Sequence, residues 1–321
     1  MKALFKISAA ALLLLSMACP VVLADNKDAA IKEVPAVEPT NFVEFVEDNP
    51  ISKLRTATVT YGDGKGLKVD LIGAIHIADE SYYNTLNESF ENYDALLYEM
   101  VGSEREGPLK PGDLDTGDKG GSPIRKLQVM MQKTLELDYQ LSGIDYTAKN
   151  FVHADMDAET FSRMQKERKE GLLAMVLQSY KAQFKMMAEG KAPATMGIGD
   201  MIKILLSGDS ANGLKLVLAR QFDEIEYLIT AMEPEGGSVI LTERNKVALK
   251  ILDKQIKKGS KNIGIFYGAA HLVDMEERLI NEFGLKKTKT VWNDAWSMKT
   301  EAKPPETPEA DATSPAEGEA E

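Results

Sequence analysis

Polar and apolar positions alternate with a period of two from Arg55 to Tyr61, where threonine and valine take turns with small residues, and this predicts a β-strand. Gly62-Asp63-Gly64 reads as a turn, and Leu67 to Ile75 as the hairpin partner or sheet neighbour of that strand. Beyond it Ser81, Tyr82, Tyr83, Leu86 and Phe90 recur at helical spacing behind Asp79, a candidate N-cap. Ala95 to Met100 is short and apolar throughout, as a strand buried on both faces is. Strand, helix, strand in this order predicts a parallel βαβ unit with a right-handed crossover.

Gly102 to Pro123, rich in glycine, proline and aspartate, predicts a loop, and Ile124 to about Met232 reads as mainly helical. Leu127, Met130, Met131, Leu135 and Leu137 mark one helix there. Asp157 caps a second, which carries Phe161, Met164 and Leu172-Leu173 on towards Met187, and Met201 to Leu206 and Leu214 to Met232 suggest two more. The only strand expected in this block is Phe151-Val152-His153. Val239 to Lys258 is a helix with Leu241, Val247, Ala248, Ile251, Leu252 and Ile256 as its apolar stripe. Asn262 to His271 then repeats a strand running into Gly-x-x-His. Leu272 to Phe283 is the following helix, Gly284 its C-cap and Lys287 to Trp292 the closing strand. The expected fold class is therefore α/β. A mixed or mostly parallel central sheet has helices on both faces, two strand-helix-strand halves each carry a Gly-x-x-His, and a large helical insertion, about 122–235, separates them.

The ends read differently. Lys2 and Lys6 precede an apolar run from Ile7 to Met17, the pattern of a secretory signal, expected to span residues 1–24. Two endings compete: cleavage after Val22-Leu23-Ala24, or lipidation at Cys19 and anchoring by acyl chains, the one route by which a membrane becomes a partner. Loss of Lys2 and Lys6 with the signal leaves 36 basic against 50 acidic side chains, a charge of −14, which excludes a phosphate-backbone partner such as nucleic acid. Cleavage also removes the only cysteine, so a large core rather than disulfides must stabilise an exported, periplasmic product. Residues 25–42 are expected to form a flexible leader, 43–300 the α/β domain, and 301–321 a disordered acidic tail of Pro, Glu, Ala, Thr and Ser.

Candidate chemistry gathers where the predicted strands end. The chain has three histidines, and two of them close a Gly-x-x-His, Gly73-Ala-Ile-His76 and Gly268-Ala-Ala-His271. Glu99 lies 23 positions after His76, and Asp294 lies 23 after His271, each near the end of the next apolar run. In an open parallel sheet ligands bind beyond the carboxyl ends of the strands, so these four side chains are candidates for one site. Glycine three residues before each histidine would let the strand turn sharply or the backbone come close to a ligand. Two imidazoles with a carboxylate there would make either a metal site, with His76, Glu99 and His271 holding zinc, manganese or cobalt, or a histidine–glutamate pair that activates water directly. Arg244, in a first helical turn where a cation opposes the dipole, is expected to face an anion; a local bridge to Glu243 is the alternative. His153 and Asp155 are further candidates, Asp155 with the simpler reading of a helix cap beside Asp157.

Taken together, Gly73-Ala-Ile-His76, Leu97-Tyr-Glu99-Met100, Glu243-Arg-Asn245 and Gly268-Ala-Ala-His271 resemble the ordered motifs of the TraB/GumN/TIKI superfamily, over about residues 54–296. Asn150-Phe-Val-His-Ala-Asp155 also looks like a segment found in bacterial members. The resemblance implies an erythromycin-esterase-like α/β fold and a hydrolytic site, with a manganese- or cobalt-dependent peptidase activity claimed for the animal branch. It implies that His76, Glu99, Arg244 and His271 are the functional positions. The expected function is an exported hydrolase, with a divalent metal, acting on a peptide or small-molecule amide or ester; Arg244 would bind a carboxylate or stabilise oxyanion charge. The alternative is a non-catalytic envelope protein that binds haem, a metal or a peptide signal in the same pocket.

Overall fold

The structure, a computed structural model, describes residues 40–102, 134–170, 209–222, 233–234 and 236–300. The signal-like segment with Cys19, the leader up to residue 39, the greater part of the expected helical middle and the acidic tail lie outside these residues. In chain order run β1 (Val43–Val46), β2 (Ile51–Gly62), β3 (Lys68–Ala74), β4 (Ile77–Ala78), α1 (Glu80–Phe90), β5 (Ala95–Tyr98), β6 (Asp138–Tyr139), α2 (Gln140–Gly143), β7 (Phe151–His153), α3 (Ala158–Arg168) and α4 (Ser210–Arg220). A π-helical turn at Val239–Glu243 leads into α5 (Arg244–Lys257), followed by β8 (Asn262–Gly268), α6 (Ala269–Asn281) and β9 (Lys286–Lys299).

One mixed sheet of seven strands takes the order β1-β2-β3-β8-β5-β7, with β9 also paired to β2. The neighbours β3, β8, β5 and β7 are parallel, whereas β2 runs against β1, β3 and β9. β9 follows β2 along its whole length, from Gly62↔Lys286 to Ile51↔Lys299, so β1 and β3 share the opposite edge of that strand. The alternation read at Arg55–Tyr61 is thus the middle of a longer strand, buried because both its edges are occupied.

Two connections leave neighbouring strands in opposite directions. From β3 the chain passes through α1 to β5, beyond β8; from β8 it passes through α6 back to β9, beyond β3 and β2. Right-handed crossovers running in opposite directions lie on opposite faces of a sheet. The packing agrees: Phe266 of β8 meets Phe90 of α1, with ring centroids 5.0 Å apart, while the next residue, Tyr267, meets His271 of α6 at 5.2 Å. A mixed α/β fold with helices on both faces results, and its switch point lies between the carboxyl ends of β3 and β8, the place where such sheets hold ligands.

The tyrosines that fill the core secure this edge. Buried hydroxyls need partners, and Tyr82 donates to the Gly73 carbonyl at 2.8 Å and Tyr83 to the Ile75 carbonyl at 2.9 Å, where the chain leaves β3. Tyr267 likewise donates to the Ala154 carbonyl, just past β7.

Several expectations change. The leader boundary at residue 42 falls inside the fold: Phe42 is fully buried and its carbonyl accepts from Ala57 N at 2.9 Å. Before it, Thr40 donates its N–H (2.8 Å) and hydroxyl (2.5 Å) to Glu276, whose Oε1 also accepts from Tyr61 at 2.7 Å. Glu276→Leu, which keeps the volume and leaves Thr40 N–H and Tyr61 O–H unpaired, is expected to destabilise the fold by about 1–3 kcal/mol; an unshifted urea midpoint would show that the buried carboxylate is dispensable. Asp79 stands at the N-cap of α1, but its side chain makes no cap bond and accepts instead from Lys215 Nζ at 3.0 Å and Ser297 N at 2.7 Å. Asp157 does cap α3, through Thr160 N, yet that helix stops at Lys169, which takes a left-handed conformation, well short of Met187. The helix expected to begin at Val239 does so as a π-turn, held by Ser238 Oγ on Leu241 N.

Candidate functional site

β3 and β8 are in register, with Ala74 opposite Gly268, so His76 and His271 emerge beside each other at the carboxyl edge. β5 lies on the other side of β8, and Glu99 follows its last residue; Asp155 follows β7 by two. Arg244 reaches the same place from the first turn of α5.

Arg244 is the centre of the cluster. Its guanidinium is nearly sealed and donates Nε to Asp155 Oδ1 (2.9 Å), Nη2 to Asp155 Oδ2 (2.6 Å) and Nη2 to Glu99 Oε1 (2.6 Å). Its Nη1 meets the Ile240 carbonyl at 3.3 Å and His271 Nε2 at 3.4 Å. A guanidinium has five N–H donors, and these contacts use all of them. The anions that hold a cation in a helix's first turn are therefore Asp155 and Glu99; Glu243, the local alternative, pairs with Arg168 and Lys246. In this arrangement each Arg244 N–H already meets a protein acceptor, and none is turned to a substrate.

Glu99 is fixed at both oxygens, since Oε2 accepts from Gly268 N at 2.7 Å, at the amino end of α6. Burial would raise its carboxyl, but Arg244 above all, then His271, His76 and the Gly268 N–H, outweigh burial and hold it well below the usual carboxylate range. Burial would likewise lower Arg244, and Glu99 with Asp155 more than restores it, so the guanidinium stays charged. The glycines act differently from expectation. Neither Gly73 nor Gly268 has positive φ, so neither supplies a sharp turn. A Cβ on Gly268 would stand 3.2 Å from Glu99 Oε2, and one on Gly73 would stand 3.3 Å from the Ala57 and Phe42 carbonyls; both serve close approach.

Both imidazoles are oriented by a side-chain amide. Asn245 donates Nδ2 to the His271 carbonyl (3.0 Å) and to Asp274 (2.7 Å), which leaves its Oδ1 to accept from His271 Nδ1 at 2.7 Å. Gln140 donates Nε2 to the Tyr146 hydroxyl (3.0 Å), so its Oε1 accepts from His76 Nδ1 at 2.9 Å. Each ring therefore carries its lone pair on Nε2. The two are not equivalent. His271 is buried, and burial pushes its pKa down to about 4; its Nε2 faces Arg244, with Glu99 Oε1 3.7 Å away. His76 is only half-buried, and its Nε2 points to no protein partner among the described residues.

Two of the remaining candidates, His153 and Asp294, lie apart from this cluster. His153 ends β7 with Nε2 on the Met100 carbonyl at 2.7 Å and its ring against Tyr98, a structural placement. Asp294 sits inside β9 opposite Arg55, exposed and paired with Lys53 at 2.5 Å, so the matched spacing that suggested it does not carry over to matched positions. Asp155, given a simple capping reading beside Asp157, is instead the fully sealed partner of Arg244. Gln140, Tyr146 and Asn245 were not assigned roles. Gln140 and Tyr146 fall in a stretch read as helical, and nothing in its periodicity marks them; Asn245 is marked only by standing next to Arg244.

The proposed metal ligands do not fit a divalent ion as they stand. Among the described residues no group of three His, Cys, Asp or Glu side chains is arranged to hold one. The cation between the carboxylates is the Arg244 guanidinium. No described helix is long and apolar enough to cross a membrane. No protein-family model, curated protein or solved structure matches the chain.

Proposed function

We propose that the protein is an exported hydrolase of the TraB/GumN type, built from two strand-helix-strand halves around a helical insertion, and that it cleaves an amide or ester bond without a metal. The observation that carries this is His76: half-buried, held at Nδ1 by Gln140, with a free Nε2 lone pair and within the electrostatic reach of an anion, Glu99, that Arg244 and Gly268 keep ionised. His76 Nε2 takes a proton from water as that water attacks the substrate carbonyl, and the fixed charge of Glu99 stabilises the imidazolium that forms. His271, with its depressed pKa and its Nε2 turned to Arg244, orients the Arg244–Glu99 pair and is a poor base at neutral pH. Two carboxylates against one saturated guanidinium leave the cluster with an excess negative charge, which favours uncharged or cationic acyl substrates over those ending in a carboxylate next to the scissile bond.

The test is a panel of peptide, amide and ester substrates assayed with the purified protein, with chelator and with added manganese, cobalt or zinc. His76→Ala is expected to lower kcat by about 10²–10⁴-fold with the circular dichroism spectrum unchanged. Turnover that is indifferent to His76→Ala would retire this site as the catalytic one. Turnover that needs added metal would return the metal-dependent reading, and a stoichiometric ligand with no turnover would make the protein a binder.

A further inference from the structure

An amide or ester hydrolase needs a donor aimed at the carbonyl oxygen as well as a base for water. The evident donors of this site are already engaged. Arg244 has used its five N–H groups, Gly268 N donates to Glu99, and Asn245 Nδ2 serves the His271 carbonyl and Asp274. Tyr146 differs. Its hydroxyl oxygen accepts from Gln140 Nε2, and its own proton meets no acceptor among the described residues. Burial raises its pKa and keeps that proton in place, and the charge of Glu99 adds to the effect.

We propose that Tyr146 donates the hydrogen bond that stabilises the oxyanion, and that Gln140 is the positioning residue that aligns Tyr146 with His76. This rests on the hydrolytic reading of the site. Gln140 is buried and holds His76 twice, by its side chain at 2.9 Å and by its backbone N on the His76 carbonyl at 2.8 Å. The pairing of β4 with β6, Ile77↔Tyr139 and Ala78↔Asp138, fastens this segment to the residues directly after His76. The Tyr146 ring is set by edge contacts with Tyr98, at 5.2 Å, and Phe151, at 5.7 Å. His76 Nδ1 and the Tyr146 hydroxyl thus meet the two ends of one amide group. When water adds, its O–C bond forms as His76 Nε2 takes its proton, and the carbonyl π pair moves to the oxygen that Tyr146 O–H faces. Collapse restores C=O and breaks the C–N or C–O bond, and the leaving group takes the proton back from His76. One water is consumed and nothing is oxidised.

Tyr146→Phe keeps the ring contacts and removes one hydroxyl. With a substrate from the panel, kcat is expected to fall about 10²–10³-fold while KM changes little; a fluorotyrosine at position 146, which changes O–H acidity and not shape, is expected to shift kcat with the circular dichroism spectrum unchanged. Gln140→Ala is expected to lower kcat and, in nitrogen-15 spectra of the imidazole, to release His76 from the Nδ1–H tautomer. Wild-type kcat in Tyr146→Phe, with turnover still dependent on His76, overturns this inference and leaves the hydrolytic reading in place. Turnover independent of both residues overturns the two together. An Nε2–H tautomer of His76 in the unmodified protein overturns the alignment whatever the turnover.

Discussion

Arg244→Met is expected to destabilise the protein by about 3–5 kcal/mol, because it leaves buried carboxylates without their cation. The Asp155 side chain is completely sealed and that of Glu99 is 15% exposed, so water cannot replace the guanidinium. Methionine fills much of the same length, which confines the loss to charge and hydrogen bonds. A double variant, Arg244→Met with Asp155→Asn, is expected to recover part of the stability, since one of the orphaned charges is gone. Urea unfolding of the three proteins decides it: an Arg244→Met midpoint equal to that of the unmodified protein would mean that the cluster is solvated and the saturated guanidinium is not a structural centre.

Acid lability is the second large effect. His271 has a folded pKa of about 4 against an ordinary value of 6.5. Between those values the unfolded chain binds a proton that the folded chain refuses, so stability rises with pH across that window and is lost as pH falls through it. The gap corresponds to on the order of 3 kcal/mol, fully present above pH ~6.5 and gone near pH ~4. Glu99 acts in the same direction lower down: its carboxyl is depressed, so its contribution is present above the unfolded value of ~4.3 and disappears as pH falls towards its folded one. Urea midpoints at pH 7, 5.5 and 4.5 are therefore expected to fall steeply, and His271→Gln, which cannot titrate, is expected to flatten the part between pH 7 and 4.5. An equally steep fall in that variant would assign the lability to other groups.

Much of the frame was legible because hydrophobic period follows burial. β2, β3, α1, β5, β7, α5 and α6 all lie where alternation or helical spacing put them, within a few residues. β1 was missed, since Val43–Val46 gains its strand character from pairing with Lys53–Thr56 rather than from a pattern of its own. Within the site, His76, Glu99 and His271 were legible because each ends an apolar run, and Arg244 because a cation in a first helical turn needs an anion. Asp294 shared the spacing but not the place: β9 extends to Lys299 along β2, so that aspartate falls mid-strand.

By itself, then, the amino-acid order determined the alternation of elements, the burial of the strands and the presence of two histidines at strand ends, because these depend on local spacing and on which face meets water. The tertiary structure alone decided that β3 and β8 are neighbours with crossovers to opposite faces, which brings those histidines to one edge. It alone decided that Arg244 spends every donor on Asp155, Glu99, Ile240 and His271, and that Gln140 and Tyr146 complete the surroundings of His76. Hydrophobic pattern specifies how much surface a residue buries; which polar atoms then meet depends on strand order and register, set by contacts between residues as far apart as Glu99 and Gly268.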